Sequence, residues 1–317
     1  MKKPKVIVSL LNWKNYENTI TCIHSLNTLD YDNLEIIVID NNSPNNSYEI
    51  ISKEFPKLKV IKSPKNDGYA AGHKIAADIA LKENVDLLWI LNTDLKVRKN
   101  TLTELINAYI EYGEAIYGST TLLSETPETI NFGGGAEYLN KNQAFSYNIF
   151  YQKDYSEEFK KLKVRNVQSV EGSSILIPLK TIKNIGFMNM SYFMYGEETD
   201  YCFYAREKGI PSLLVTNSVI IHKGGGSFEN NPKISVVEAY YRQRNFIFFN
   251  KKYYNWTNTD VFKKYSNVLN LIKFFIKYYF LNSSEKEKYK LQYFSNLATV
   301  DGILGRMGKT VMPEHYV

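Results

Sequence analysis

Two cysteines, Cys22 and Cys202, are too few among 317 residues for a disulfide framework and stand at no metal-ligand spacing. A reducing, cytosolic setting is the expectation. Long apolar runs are also missing: no segment reaches the roughly 18 apolar residues of a membrane span, and the nearest, Val268 to Leu281, is broken by Lys273 and Lys277. Met1-Lys2-Lys3-Pro4-Lys5 leads straight into a strand-like segment without an apolar stretch or small-residue cleavage site, so secretion is not expected. Glycine patterning excludes more. Gly68-Tyr69-Ala70-Ala71-Gly72 is neither the dinucleotide fingerprint nor a P-loop, which disfavours a dehydrogenase or a nucleotide triphosphatase.

What is present is an ordinary globular balance, 44% hydrophobic and 23% charged residues, with 25 Tyr and 17 Phe. The net charge of +6 is unevenly placed. Residues 251–317 hold 11 Lys/Arg against 5 Asp/Glu, and residues 1–250 hold 28 of each sign. A neutral main domain over 1–250 and a basic, aromatic-rich helical region over 251–317 are therefore expected.

Val6-Ile7-Val8, Leu34 to Ile39, Leu58 to Ile61 and Leu87 to Leu91 are short β-branched or apolar runs, and the segments between them have helical spacing. That alternation predicts an α/β fold on a parallel sheet, with helices around Ile20, Ile23 and Leu26 and around Ile75 and Ile79. Ligands bind beyond the carboxyl ends of such strands. Those ends read Asn12, Asp40-Asn41-Asn42, Asn66-Asp67-Gly68 and Asn92-Thr93-Asp94. Turn chemistry favours the same residues and accounts for any one of them; it accounts less well for four in succession.

Asp94 ends a buried strand, where a carboxylate can meet a divalent cation bridging a diphosphate, or simply cap the helix near Thr101. Glu197-Glu198-Thr199-Asp200 places three carboxylates at the start of a helix running through Arg206. The helix dipole explains one or two of them; a glutamate brought in behind the apolar lead Phe193-Met194-Tyr195 also suits general-base work on a hydroxyl. His222 ends a strand ahead of Gly224-Gly225-Gly226-Ser227, a position suited to a metal or phosphate role.

Taken in order, Val6 to Ser9, Val38 to Ser43, Asn66 to Gly72, Leu91 to Asp94, Glu171 to Ser174, Phe193 to Cys202, His222 to Ser227, Tyr240 to Asn245 and Asp301 to Arg306 resemble glycosyltransferase family 2, in particular its rhamnosyltransferase-like branch. The resemblance covers nearly the whole chain. It implies a GT-A fold, a mixed sheet flanked by helices with a helical C-terminal appendage. It implies inverting, metal-dependent transfer (Mg2+ or Mn2+) from a nucleotide-diphosphate sugar to a saccharide or lipid-linked saccharide. dTDP-rhamnose leads as donor, with a UDP-hexose or UDP-N-acetylhexosamine as the alternative. By the same resemblance Asp40 accepts a hydrogen bond from a pyrimidine ring, Asn66, Gly68 and Gly72 line the nucleotide pocket, and Ser9, Leu10, Asn12, Asn92 and Thr93 contact the nucleotide sugar. Asp94 and His222 hold the metal, and Gly172, Tyr195 and Asp200 border the acceptor or sugar. The family's usual Glu-Asp reads Glu197-Glu198 here, so the base falls on Glu198, with Glu197 second. That departure keeps open a non-catalytic carbohydrate-binding protein of the same fold.

Residues 261 to 294 join Val261, Phe262, Leu269, Ile272, Phe274, Phe275 and Ile276 with interspersed lysines. Such a basic, aromatic-rich helix suits peripheral contact with the inner face of the plasma membrane; packing on the main domain or on a homodimer partner is the alternative. No nucleic-acid-binding module is recognisable, and none is expected as a partner.

Overall fold

The computed structural model describes residues 3–136, 147–222 and 232–312. The chain alternates β1 (Val6–Asn12), α1 (Tyr16–Leu26), β2 (Leu34–Asp40), α2 (Ser47–Glu54), β3 (Lys59–Lys62), α3 (Tyr69–Glu83) and β4 (Leu87–Leu91). It continues through β5 (Leu95–Val97), α4 (Thr101–Tyr112), β6 (Ile116–Leu123), β7 (Ile130–Phe132), β8 (Gly135–Ala136), β9 (Tyr147–Asn148), α5 (Glu157–Lys161) and β10 (Val164–Val167). Then come β11 (Ser174–Pro178), α6 (Leu179–Ile185), α7 (Glu197–Glu207) and β12 (Ser212–His222).

Among the described residues the main sheet runs β10-β12-β6-β11-β4-β1-β2-β3, with β5 added on β12 and β7 on β6. β4, β1, β2 and β3 are parallel, β11 is antiparallel to both neighbours, and β6 and β12 are parallel to each other. The period of two in the strand sequences decides the layers. Ile7, Ile37, Ile39, Leu88 and Ile90 point to the face covered by the alanines of α3 and by α6 and α7. Val6, Val8, Leu10, Val38, Trp89 and Leu91 point to the other face, against Cys22, Ile23 and Leu26 of α1 and Leu102 and Leu105 of α4. α1 starts where the Asn15 side chain accepts from Asn18 N, and its buried Thr19, Cys22, Ile23 and Leu26 recur at helical spacing. α3 lies close to β1 because Gly72 has no Cβ: one placed there would come 2.3 Å from Leu11 Cδ1.

The strand directions gather one edge. Parallel pairing sets Asn12 beside Asp40. β11 runs the other way, with Ser174 beside Leu91, so the residues that precede β11 arrive where β4 ends. β6 and β12 end there as well, His222 paired with Leu123 and with Leu95 of β5.

Contacts divide the chain into two compact units, one holding described residues 3–136, 147–189 and 198–222, the other 190–197 and 232–312. The second unit comprises a 3-10 turn (Met190–Tyr192), α8 (Pro232–Tyr253), α9 (Asn258–Lys264), α10 (Val268–Phe280), α11 (Ser283–Lys288) and α12 (Lys290–Leu304). The boundary at 250, drawn from charge, falls inside α8, whose Val236, Val237, Tyr240 and Tyr241 share a core with Phe193, Phe294 and Ala298. The single helix expected over 261–294 is instead broken. Asn267 accepts from Asn270 N and Asn282 from Glu285 N, each capping a new helix. Among the described residues no helix is long and apolar enough to cross a membrane.

Candidate active site

At the end of β1 and β2 the polar side chains organise one another. Asn12 Nδ2 donates to Asp40 Oδ2 at 2.8 Å and to Ser43 Oγ at 3.3 Å, Ser43 N donates to Asp40 Oδ1 at 2.9 Å, and Thr19 Oγ1 donates to Asn12 Oδ1 at 2.9 Å. Asn12 and Asp40 are wholly buried. A carboxylate offers about four acceptor directions, so Asp40 organises this turn and keeps capacity for another donor. Ser43 was not singled out as a candidate; its spacing three residues after an aspartate is the signature of such a turn.

The next edge element is α3. Gly68 caps it at φ +96°, its N–H donating to Asn66 Oδ1 at 3.0 Å, while Asn41 Nδ2 reaches Asn66 Oδ1 at 3.1 Å and Gly68 O at 3.3 Å. Asn41, Asn66 and Gly68 thus form one bonded group at a helix N-terminus, where backbone amides favour an anion. Gly72 serves packing against Leu11, and the Leu10 side chain lies in the apolar layer with Trp89, so neither presents a side chain to a ligand. Ser9 Oγ lies 2.7 Å from His73 Nδ1, both residues fully buried. Burial lowers the His73 imidazole to about 3, so it is neutral.

Beyond β4, the half-buried Asn92, Thr93 and Asp94 turn the chain into β5. Pairing of β5 with β12 sets Asp94 Oδ1 3.1 Å from His222 Nε2. The two atoms are close, but their angles do not make a hydrogen bond, and Asp94 Oδ1 is a buried acceptor. A carboxylate oxygen facing an imidazole nitrogen is a donor set that fits a divalent ion. Among the described residues no third His, Cys, Asp or Glu joins them. Mg2+ and chemically similar ions commonly take one or two protein donors and fill the rest of their shell with water and substrate phosphate. The glycine run Gly224 to Ser227 lies outside the described residues.

Asn92 N donates to Ser173 O at 3.0 Å, which ties this turn to the Glu171-Gly172-Ser173 segment. A Cβ on Gly172 would sit 3.5 Å from Glu198 Cγ and 3.8 Å from the Tyr69 hydroxyl, and that hydroxyl donates to Gly172 O at 2.6 Å. Glu198 is half-buried, near this junction, and Asp200 is buried behind it in α7. Glu171 accepts from Thr121 Oγ1 at 2.5 Å and Ser173 Oγ at 2.6 Å. Tyr69 and Glu171 were not foreseen as site residues. Their partners stand 103 and 50 residues away, a distance no local pattern reveals.

Glu197 and Tyr195 belong to the second unit, Glu197 being buried and Tyr195 lying under the Arg242 guanidinium at 4.2 Å. Burial, with Glu238 nearby, pushes the Tyr195 phenol above its ordinary value. In the first unit burial also pushes the Cys202 thiol up to about 11, which leaves it unreactive as a nucleophile.

A mixed sheet whose parallel strands deliver Asn, Asp and a carboxylate–imidazole pair to one edge is the GT-A class of nucleotide-sugar transferase fold. Solved structures that share it include GalNAc-T7 with UDP, GalNAc and Mn2+ (TM-score 0.60, 15% identity, 79% of this chain and 48% of that one) and the mannosyltransferase PcManGT from Pyrobaculum calidifontis with GDP-Man and Mn2+ (TM-score 0.57, 10% identity, 96% and 89%). The chain belongs to glycosyl transferase family 2, whose model matches residues 6–165. It is 27% identical over 179 residues to the low-salt glycan biosynthesis hexosyltransferase Agl10 of Haloferax volcanii, a match that takes in 56% of this chain. The chain spans about half the length of that relative, 54%.

Proposed function

We propose that the protein transfers a hexosyl group from a nucleotide-diphosphate sugar to a hydroxyl of a saccharide or lipid-linked saccharide, inverting the anomeric centre. The observation that carries this reading is the Asp94–His222 pair on the edge where Asn12, Asp40, Asn66 and Gly68 also end. Asn66 and Gly68 orient the nucleotide at the start of α3, and Asn92 and Thr93 border the diphosphate. Asp94 and His222 would hold a Mg2+ or Mn2+ ion, which supplies positive charge to the departing diphosphate. Glu198, beside Gly172 and Tyr69, removes the acceptor proton in a single displacement; Glu197 is the second choice. Gly172 and Asp200 shape the sugar or acceptor side.

Hexosyl transfer is supported by the name of the Haloferax relative, and dTDP-rhamnose leads as donor by the likeness of motifs, ahead of a UDP-hexose or UDP-N-acetylhexosamine. The membrane surface is the proposed place of action. α10 exposes Leu269, Ile272, Ile276, Tyr279 and Phe280, with Lys273 and Lys277 and no acidic residue along it. α10 offers a second copy of itself no carboxylate to pair with these lysines, so an anionic leaflet fits this face better than a second copy.

The deciding test is calorimetric titration with dTDP, UDP and GDP, with and without Mn2+, then release of nucleoside diphosphate from the corresponding sugars. Mn2+-dependent binding that is lost in Asp94→Ala is expected. Binding that ignores Mn2+ and Asp94 would end the reading.

A further inference from the structure

Phe193, Tyr195 and Gly196 all have positive φ, +67°, +67° and +92°, in the stretch that delivers Glu197 and Glu198. Side-chain-bearing residues resist that conformation, and two aromatics keep it only where their surroundings over-determine the backbone. Here those surroundings are Arg244 and Asn245 on α8. Asn245 Nδ2 donates to Tyr192 O at 3.2 Å, Met194 O at 2.7 Å and Tyr195 O at 2.7 Å. Three acceptors for two hydrogens make at least one bond shared.

The amide cannot turn over, because its Oδ1 accepts from Arg244 Nε at 2.9 Å. Arg244 is fully buried, its guanidinium 5.7 Å from the Tyr240 ring and 4.7 Å from the Tyr241 ring. Its Nη2 donates to Tyr192 O at 2.8 Å, and its Nη1 to Gly308 O at 2.7 Å and Thr310 Oγ1 at 2.9 Å. Gly308 N in turn donates to Ser191 O at 2.5 Å. Fixing a polar backbone loop inside the protein with a buried guanidinium is costly in desolvation, so packing alone is a poor explanation of the pair.

We infer that Asn245, oriented by Arg244, is a positioning residue for the Glu197–Glu198 pair: it fixes the main chain from 192 to 195, and the carboxylates follow after Gly196 alone. This rests on the reading of Glu198 as the base.

Asn245→Asp is the test, because it keeps the side chain's size and turns its donor into an acceptor facing three carbonyls. In the full-length protein, backbone amides of 194–199 should exchange with deuterium about tenfold faster or more, while those of α8 hold. Turnover is read with dTDP-rhamnose, UDP-glucose, UDP-N-acetylglucosamine and GDP-mannose in Mn2+. With whichever the unaltered protein consumes, kcat should fall about 10- to 100-fold with donor KM within about twofold. Unchanged exchange overturns the inference; so does unchanged kcat, or kcat, KM and thermal stability failing together as for a merely structural residue. If the unaltered protein consumes none of the four, the transfer reading is what fails, and exchange alone decides the positioning role.

Discussion

The sheet edge and the approach to Glu197 hold polar groups in place by opposite means. At the edge, position follows from strand register: Asn12, Asp40 and Asp94 stand where β1, β2 and β4 end, and short side-chain bonds such as Asn12 to Asp40 at 2.8 Å refine what the sheet has set. Past the 3-10 turn, along 193–195, no regular element sets the path, and side chains about 50 residues distant in sequence grip carbonyl oxygens. A register-built site tolerates changes beside it and fails when a ligand-bearing side chain is removed. A side-chain-built path is intolerant at its anchors.

The largest test of that contrast is Glu198→Gln, which should lower transfer about 10²- to 10⁴-fold while leaving Mn2+-dependent nucleotide binding intact, as measured by turnover and calorimetry. Retained turnover would move the base to Glu197. Next come two glycines, one in each unit. A Cβ on Gly118 of β6 would come 2.5 Å from Val170 Cβ, and one on Gly302 of α12 would come 2.9 Å from Ile247 Cβ and 3.2 Å from Arg244 O. Each Gly→Ala change should cost about 1–3 kcal/mol in urea unfolding. Only Gly302→Ala should also disturb the Arg244 anchor and so speed amide exchange at 192–195.

A smaller effect is expected at the exposed face of α10. Ile276→Glu should lower sedimentation with phosphatidylglycerol-rich vesicles about tenfold and leave the first unit's nucleotide binding unchanged. Equal sedimentation would remove α10 as the membrane face. A separate test is a pH slope that arises in the first unit. His73 is held at about 3 against an ordinary 6.5, so the unfolded chain binds the extra proton. Stability is therefore complete above about pH 6.5 and falls as pH drops from there toward 3, by at most about 1.4 kcal/mol per unit. His73→Gln should flatten that slope in chemical denaturation.

Legibility followed the same division. The α/β class, β1 to β4 and the strand-end residues could be read because periods of two and 3.6 and turn chemistry are local properties. The meeting of Asp94 with His222 came only through resemblance, since β5 has three residues and no pattern of its own. Tyr69, Glu171 and Asn245 fall within motifs that carry the resemblance, but their roles depend on partners 103, 50 and about 50 residues away, which no local pattern shows. The helical breaks at Asn267 and Asn282 were written in capping residues, but the continuous aromatic and lysine content of 261–294 hid them.

The pairing of β5 with β12 makes the separation of Asp94 and His222 a matter of whole numbers. Strand register changes only in steps of one residue, and one step turns alternate side chains to the opposite face. The pair therefore either forms or does not, and cannot be adjusted gradually by repacking around it. Any graded preference among ions or donors in a chain built this way has to be written in the groups that can move by fractions of an ångström, the loops and side chains around the pair.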